Sequence, residues 1–292
     1  MELGYAATSY LQYVAIFILL SWSVYLTFRV GQLYNGGIFT MLCGAYFSAY
    51  ATKDWGWPFG LALLVAALFG ALLAFIPGLA LAKAPAFTTA IATIAMVFIG
   101  TTVIRNIQFL GGVSGYWGIP RIPYLLPVSY LAVFIIGFLI YRLDNSRLGR
   151  AMESISADPN LASTLGVNNY RMRLMAQMLA GGLGGVAGTL YAFHLHALKV
   201  QQFSFNLLLY VFCFVFVGGW STMWGAVVFT PILWAVTVFL PPEIQVLKDW
   251  IYGILLIVIL IARPDGIIDK QAVRSIKERF SSLRRNKLAS SA

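Results

Sequence analysis

The chain has 292 residues, of which 60% are hydrophobic and only 10% charged, with a formal net charge of +10. A water-soluble domain carries about 25% charged residues, so the composition excludes an ordinary soluble fold and predicts a protein of the bilayer. The placement of the positive charge matters more than its size, and no nucleic-acid partner is expected.

The apolar stretches are read in chain order, each helical crossing needing about 20 apolar residues. The first covers about 8–28. It is preceded by Glu2 and by no Lys or Arg, so the basic segment that opens a cleavable signal peptide is not expected. A polar linker, Arg29–Gly37, leads into a second stretch at 34–50, where Gly36 and Gly37 allow a helix break or a close backbone approach. The third and fourth stretches cover 57–81 and 87–104. After them, glycines 111, 112, 115 and 118, closed by Pro120, predict a compact, turn-rich connection. The fifth stretch is 123–141.

Residues 144–173 form the only long polar interval between two apolar halves. Ser146 is placed to N-cap a first short helix from Arg147. Asp158 is placed to cap a second, with Pro159 at its first position, where no amide donor is needed. Gly166 stands after Leu165 as a C-terminal stop, and Asn168 or Asn169 is placed to cap the next helix. Such explicit start and stop signals predict a built surface, although a solvated loop with ordinary caps is the common alternative.

The sixth stretch, 174–193, contains Gly181, Gly184, Gly185 and Gly188. Their four-residue spacings predict a flat strip for close helix packing. The last three stretches are 204–220, 225–240 and 246–262, with Gly218-Gly219-Trp220 and Trp224-Gly225 between the first two. The spans of about 17 residues are short for a full crossing, and re-entrant segments survive in lipid only where protein covers their backbone. Cys43 and Cys213 lie in apolar runs and are read as small buried hydrophobes.

Charge placement orients the chain. With the polar interval and the tail in the cytoplasm, fifteen Lys and Arg fall inside and five outside; the five are Lys53, Arg105, Arg121, Lys199 and Lys248. The predicted fold is all-α: a polytopic membrane protein of about nine transmembrane or partly re-entrant helices, with its N-terminus outside and its C-terminus cytoplasmic. Residues 1–268 form the transmembrane domain and 269–292 a basic cytoplasmic tail.

Several chemistries lack support. No Gly-x-x-x-x-Gly-Lys-Ser/Thr loop is present, so ATP binding of that kind is not expected, and no cofactor is expected. His194 and His196 have no acidic or Cys partner nearby in sequence, and an isolated pair is more often interfacial than a metal site. No nucleophile or general base stands out, which predicts a non-enzyme. All ten acids fall in loops, termini or span edges, whereas proton-driven carriers usually place carboxylates inside spans.

The polar interval carries a resemblance. The run Gly149-Arg150-Ala151-Met152-Glu153, then Asp158-Pro159, Ala162, Leu165-Gly166-Val167-Asn168, Arg171 and Arg173, resembles the cytoplasmic coupling loop of ABC importer permeases. The closest fit is the M-type subunit of the branched-chain amino acid permeases. Gly44-Ala45-Tyr46, Gly111-Gly112, Gly115, Gly118-Ile119-Pro120 and Arg263-Pro264-Asp265-Gly266-Ile267 are similar to motifs of that family. Departures occur at Tyr34–Gly37, Tyr116-Trp117 and Ser221.

The resemblance implies a permease subunit of an ATP-driven importer in a bacterial inner membrane, forming half of the translocation pathway for branched-chain amino acids or a related small polar solute. It implies an H-type permease partner, two ATP-binding subunits that carry out hydrolysis, and a periplasmic binding protein. Arg150, Glu153, Asp158, Pro159, Ala162, Leu165 and Gly166 are the expected coupling residues. Asn35, Thr40, Thr101, Thr102, Asn106 and Gln108 are candidates for the substrate pathway, although polar residues in such helices often bond only their own backbone. A stand-alone secondary carrier is the alternative; a membrane enzyme or scaffold has only the His pair behind it.

Overall fold

The computed structural model describes residues 2–239, 247–263 and 266–267. Pro264, Asp265 and the tail at 269–292 lie outside the described residues, as does Leu240 at the end of the eighth predicted stretch. The helices are α1 (Glu2–Phe28), α2 (Gly36–Lys53), α3 (Phe59–Leu81), α4 (Ala86–Asn106), α5 (Leu125–Asp144), α6 (Arg147–Ala157), α7 (Pro159–Thr164), α8 (Asn169–Leu195), α9 (Phe205–Gly218), α10 (Met223–Phe239) and α11 (Lys248–Ala262). Within the described residues, each predicted apolar stretch overlaps one helix of 14 to 27 residues, and α6 and α7 occupy the polar interval.

Among the described residues, six segments are long and apolar enough to cross a membrane: Ala6–Phe28, Phe59–Leu81, Ala86–Asn106, Leu125–Asp144, Asn169–Leu195 and Val200–Gly218. That is fewer than the nine apolar stretches. α10 is apolar but has only 17 residues, and α11 has 15. α2 has 18 residues and is diluted by Gly, Ser and Thr. Most of α2 is buried against protein, so it does not need an apolar outer face.

α8 is the central helix, and α1, α2 and α3 pack around it. Its four glycines serve two neighbours. A Cβ on Gly181 would lie 2.5 Å from the Gly70 carbonyl oxygen, and one on Gly185 would lie 2.2 Å from that of Ala66, both on α3. A Cβ on Gly184 would lie 2.3 Å from the Gly37 carbonyl oxygen, and one on Gly188 would lie 2.1 Å from that of Met41, both on α2. The single predicted strip is therefore two strips, one for each partner. The approach is backbone against backbone, and only glycine fits there.

α3 answers with small residues. Ala62, Ala66, Gly70, Ala74 and Gly78 face inward, while Leu61, Leu64, Leu68, Leu72 and Ile76 are exposed. In lipid this inversion is stable: leucine gains nothing by leaving hydrocarbon, so close packing of small residues decides which face turns in.

The two ends of the bundle differ. At one end Lys53 donates from Nζ to the Trp117 carbonyl at 2.8 Å, and Lys199 lies over the Trp117 ring. Here β1 (Tyr116–Trp117) pairs antiparallel with β2 (Ala197–Leu198). This sheet ties the glycine-rich connection to the end of α8. Gly111, Gly112, Gly115 and Gly118 all have positive φ, as such tight turning requires. The Tyr116 hydroxyl donates to the Asp54 carboxylate. Burial, with that carboxylate beside it, pushes the phenol well above its usual pKa, so it stays a neutral donor. At the opposite end lie Arg29, Lys83 and the α6–α7 segment. Among the described residues, Arg29, Lys83 and Arg150, read as inside, thus lie at the other end of the bundle from Lys53, Arg121 and Lys199, read as outside.

Gly188→Val forces a branched side chain into the Met41 backbone, whereas Gly60 has nothing within 4 Å of its Cβ position. Overpacking of this kind costs about 1–3 kcal/mol. Gly188→Val is expected to lower the yield and melting temperature of the purified chain in detergent, and Gly60→Ala to leave both within error. Equal behaviour of the two variants would contradict the packing account.

Candidate functional site

The polar interval folds as its local signals dictate. The Ser146 hydroxyl accepts from the Gly149 amide at 3.2 Å and caps α6. Asp158 Oδ1 accepts from the amides of Asn160 at 2.8 Å and Leu161 at 3.1 Å, with Pro159 at the first position of α7. Gly166, at φ +83°, ends α7. The Gly166 amide donates to Ser163 at 3.0 Å and the Val167 amide to Ala162 at 3.1 Å, the paired bonds of a Schellman stop. Asn168 caps α8 through the Arg171 amide at 3.0 Å.

The segment is bolted to the bundle. Arg29, only 6% exposed, follows α1 and reaches into the interval. Its Nε lies 3.4 Å from Asp144 Oδ1, an ion pair whose N–H misses hydrogen-bond geometry. Its Nη1 lies 3.3 Å from Glu153 Oε2, and Nη2 donates to the Gly149 carbonyl at 3.3 Å. The Tyr25 hydroxyl donates to Asp144 Oδ2 at 2.7 Å. The Ser156 hydroxyl donates to the Phe28 carbonyl at 3.4 Å. A Cβ on Gly149 would lie 2.3 Å from the Leu143 carbonyl oxygen, so glycine is required for α6 to fold back on α5. On the other flank, the Asn169 side chain donates to the Pro159 carbonyl at 2.7 Å and ties α7 to the start of α8. The Tyr170 hydroxyl donates to the Leu79 carbonyl at 3.2 Å and ties α8 to the end of α3.

The expected coupling residues divide by role. Ala162 is buried and anchors α7, while Leu165 is 73% exposed. Glu153 is half-exposed and engaged by Arg29. Asp158, Pro159 and Gly166 shape the turns. Arg150 is exposed, its guanidinium donating to the Asn145 carbonyl at 3.3 Å. Sequence reasoning missed Leu161, 59% exposed and one helical turn before Leu165. It also missed Arg29 as a clamp. Spacing could have shown Leu161; only the fold brings Arg29 to Asp144 and Glu153. The result is a short polar platform with two leucines on its outer face, braced by α1, α5 and α8.

The pathway candidates are not brought together. Asn35 is buried before α2, its amide donating to Thr93 Oγ1 at 3.1 Å, with its side-chain amide unpartnered. Thr40 is buried against Gly184 and donates to the Gly37 carbonyl. The other four sit at the opposite end of α4. Thr101 and Thr102 both donate to the Phe98 carbonyl, Asn106 donates to the Thr102 carbonyl, and Gln108 starts an exposed turn. His194 stacks edge-on against Tyr13 with ring centroids 4.8 Å apart. Among the described residues no group of three or more His, Cys, Asp or Glu could hold a metal.

Gly218 and Gly225 close on one another, and Gly266 packs on Gly219, whose φ is +105°. The Ile267 amide donates to the Val217 carbonyl at 3.1 Å, so residues 266–267 lie against the α9–α10 turn.

Residues 6–262 match the family model described as branched-chain amino acid transport system, permease component. The high-affinity branched-chain amino acid transport system permease protein LivM of Escherichia coli K12 is 25% identical over 267 residues, covering 80% of this chain and 62% of that protein. A probable branched-chain amino acid permease protein LivM of Methanocaldococcus jannaschii is 24% identical over 195 residues, 58% of this chain and 55% of its own length. The nucleoside ABC transporter permease protein NupC of Lactococcus lactis is 35% identical over 89 residues, 27% of this chain and 28% of its own length. The chain thus spans less than two thirds of the length of these relatives. No solved structure matches it. With nearly its whole helical body covered by the family model, the chain belongs to the family of branched-chain amino acid transport system permease components.

Proposed function

We propose that the chain is the M-type permease subunit of an ATP-driven importer, forming half of a translocation pathway for branched-chain amino acids or a related small polar solute. The observation that carries this reading is the braced α6–α7 platform with Leu161 and Leu165 on its outer face. In this reading the platform and residues 269–292 face the cytoplasm of a bacterial cell, the N-terminus faces outside, and residues 1–268 make the membrane domain. The partners are an H-type permease, two ATP-binding subunits and a periplasmic binding protein. Hydrolysis belongs to the ATP-binding subunits; this chain supplies the docking surface and the moving wall.

The mechanism follows from the bracing. A subunit gripping Leu161 and Leu165 moves α7, and the Asn169–Pro159 bond passes the motion to the start of α8. α8 is packed backbone-to-backbone on α2 and α3, so it transmits displacement inward rather than bending locally. Arg29 adds a second route, from α6 to α1.

Reconstitution with the ATP-binding subunits tests the docking surface. Leu161→Glu with Leu165→Glu, Arg150→Glu, or Ala162→Trp is expected to keep ATP hydrolysis measurable while solute uptake falls at least about tenfold, a docking loss of about 1.4 kcal/mol or more. Normal uptake in all three would contradict the platform assignment, and gradient-driven uptake by the chain alone would favour a stand-alone carrier.

Arg29→Gln removes the charge that compensates Asp144 and Glu153. Arg29 is buried but Asp144 is partly and Glu153 half exposed, so losing its charged contacts costs about 1.5–3 kcal/mol. The variant is expected to expose the 144–158 segment to limited proteolysis, with uptake reduced in step. A digestion pattern unchanged from the parent would contradict the clamp.

A further inference from the structure

At the end of the bundle remote from the platform, a cavity of about 510 Å³ opens between the start of α1, residues 121–126 and the end of α8. Its volume falls in the range of about 300–1,000 Å³ typical of small-molecule sites. The lining is divided. One side presents polar groups: Ser9, Gln12, Arg121, His194 and His196. The other is apolar, with Ile122, Leu125 and Leu126. Among the described residues no carboxylate lines it.

Arg121 is exposed to the cavity, and among the described residues it has no ion-pair partner. The polar side is held in place. Gln12, 2% exposed, donates from Nε2 to Ser129 Oγ at 2.5 Å. His196 ends α8 at φ +58°, a left-handed conformation uncommon for a residue other than glycine. Its carbonyl accepts from the Ile119 amide at 3.3 Å, and its Nδ1 is buried without a hydrogen-bond partner. Burial and then the neighbouring Arg121 charge push the His196 imidazole below its usual pKa, so near neutral pH it is an uncharged donor and acceptor. A lone cation beside neutral hydrogen-bonding groups repels metal ions and attracts an anion. The apolar wall sets the anion's other requirement.

We propose that this cavity is a recognition site for a small carboxylate with an aliphatic body, the Arg121 guanidinium taking the carboxylate and the Ile122–Leu126 wall the body. The assignment rests on the permease reading, in which this end faces outside and receives solute. Arg121 suits a carboxylate because its planar fork donates two parallel hydrogen bonds to the two oxygens. The polar side, with Ser9 and His194, stands opposite for a second polar group on the same solute. The site therefore discriminates for the carboxylate first and for aliphatic bulk second.

The test uses the full-length chain in nanodiscs, with no ATP-binding subunit and no uptake measurement. Phenylglyoxal modification of Arg121 is followed by mass spectrometry in phosphatidylcholine discs. L-leucine and 4-methylpentanoate are expected to slow the modification at least about threefold, and isoamylamine, which has the same aliphatic body without the carboxylate, to leave it unchanged. Arg121→Gln is expected to weaken binding of radiolabelled L-leucine about tenfold, the loss of one charge-assisted contact, and Arg121→Lys to recover part of it. Equal protection by isoamylamine, or none by either carboxylate, would overturn the proposal. Protection that appears only when phosphatidylglycerol is added assigns the site to a lipid headgroup and also overturns it. Because the platform variants are read by uptake and hydrolysis, failure here leaves the permease reading intact, and failure there leaves this site standing.

Discussion

The structure depends on how closely the backbone of α8 approaches those of α2 and α3. Inside a bilayer, burying apolar side chains between helices gains little, because hydrocarbon already surrounds them. What remains is van der Waals contact, and it is strongest where backbones touch. Gly181 and Gly185 on one line and Gly184 and Gly188 on another bring two neighbouring helices within reach of their carbonyl oxygens. The exposed leucines of α3 are the counterpart: large residues turn to lipid because small ones are needed inside. A helix held on two sides in this way moves as a unit or not at all.

That constraint gives the two ends of the molecule their meaning. α8 starts beside the α6–α7 platform and ends at His196, beside the cavity that Arg121 lines. One packed helix therefore spans from the proposed docking surface to the proposed solute pocket. Arg29 complements it. Its guanidinium is nearly buried, and the surrounding structure is arranged to satisfy it with Asp144, Glu153 and the Gly149 carbonyl. A buried charge is tolerated only when so compensated, so the clamp fixes where α6 sits relative to α1. The platform is joined to the bundle by a few bonds, whereas the bundle is joined to itself by continuous packing. In the proposed mechanism, movement imposed at the platform is delivered to whole helices.

Most of this was legible in the chain where the physics is local. Caps and stops depend on residues within four positions, and Ser146, Asp158, Pro159, Gly166 and Asn168 each do what their type and place foretell. Apolar runs mark the helices for the same reason. The number of full crossings was less legible, because α10 and α11 are apolar yet short and α2 is diluted by small polar residues, and whether protein covers them is a tertiary fact. The glycine spacings announced close packing but not that two lines served two helices. Long-range electrostatics was the least legible. Arg29 and Glu153 are 124 residues apart, and nothing local in either segment announces the other. The polar residues of α4 illustrate the opposite limit: Thr101, Thr102 and Asn106 were noticeable in an apolar context, yet each bonds its own helix.

The central claim is that the leucine-bearing face of α7 lies in the cytoplasm and is covered by a nucleotide-hydrolysing partner. The direct measurement is the sidedness of Leu161→Cys, labelled with a membrane-impermeant maleimide in right-side-out and inverted membrane vesicles, with and without the ATP-binding subunits. Labelling only in inverted vesicles, suppressed when those subunits are present, is the result this account predicts. Labelling in right-side-out vesicles, or labelling indifferent to the subunits, would contradict it.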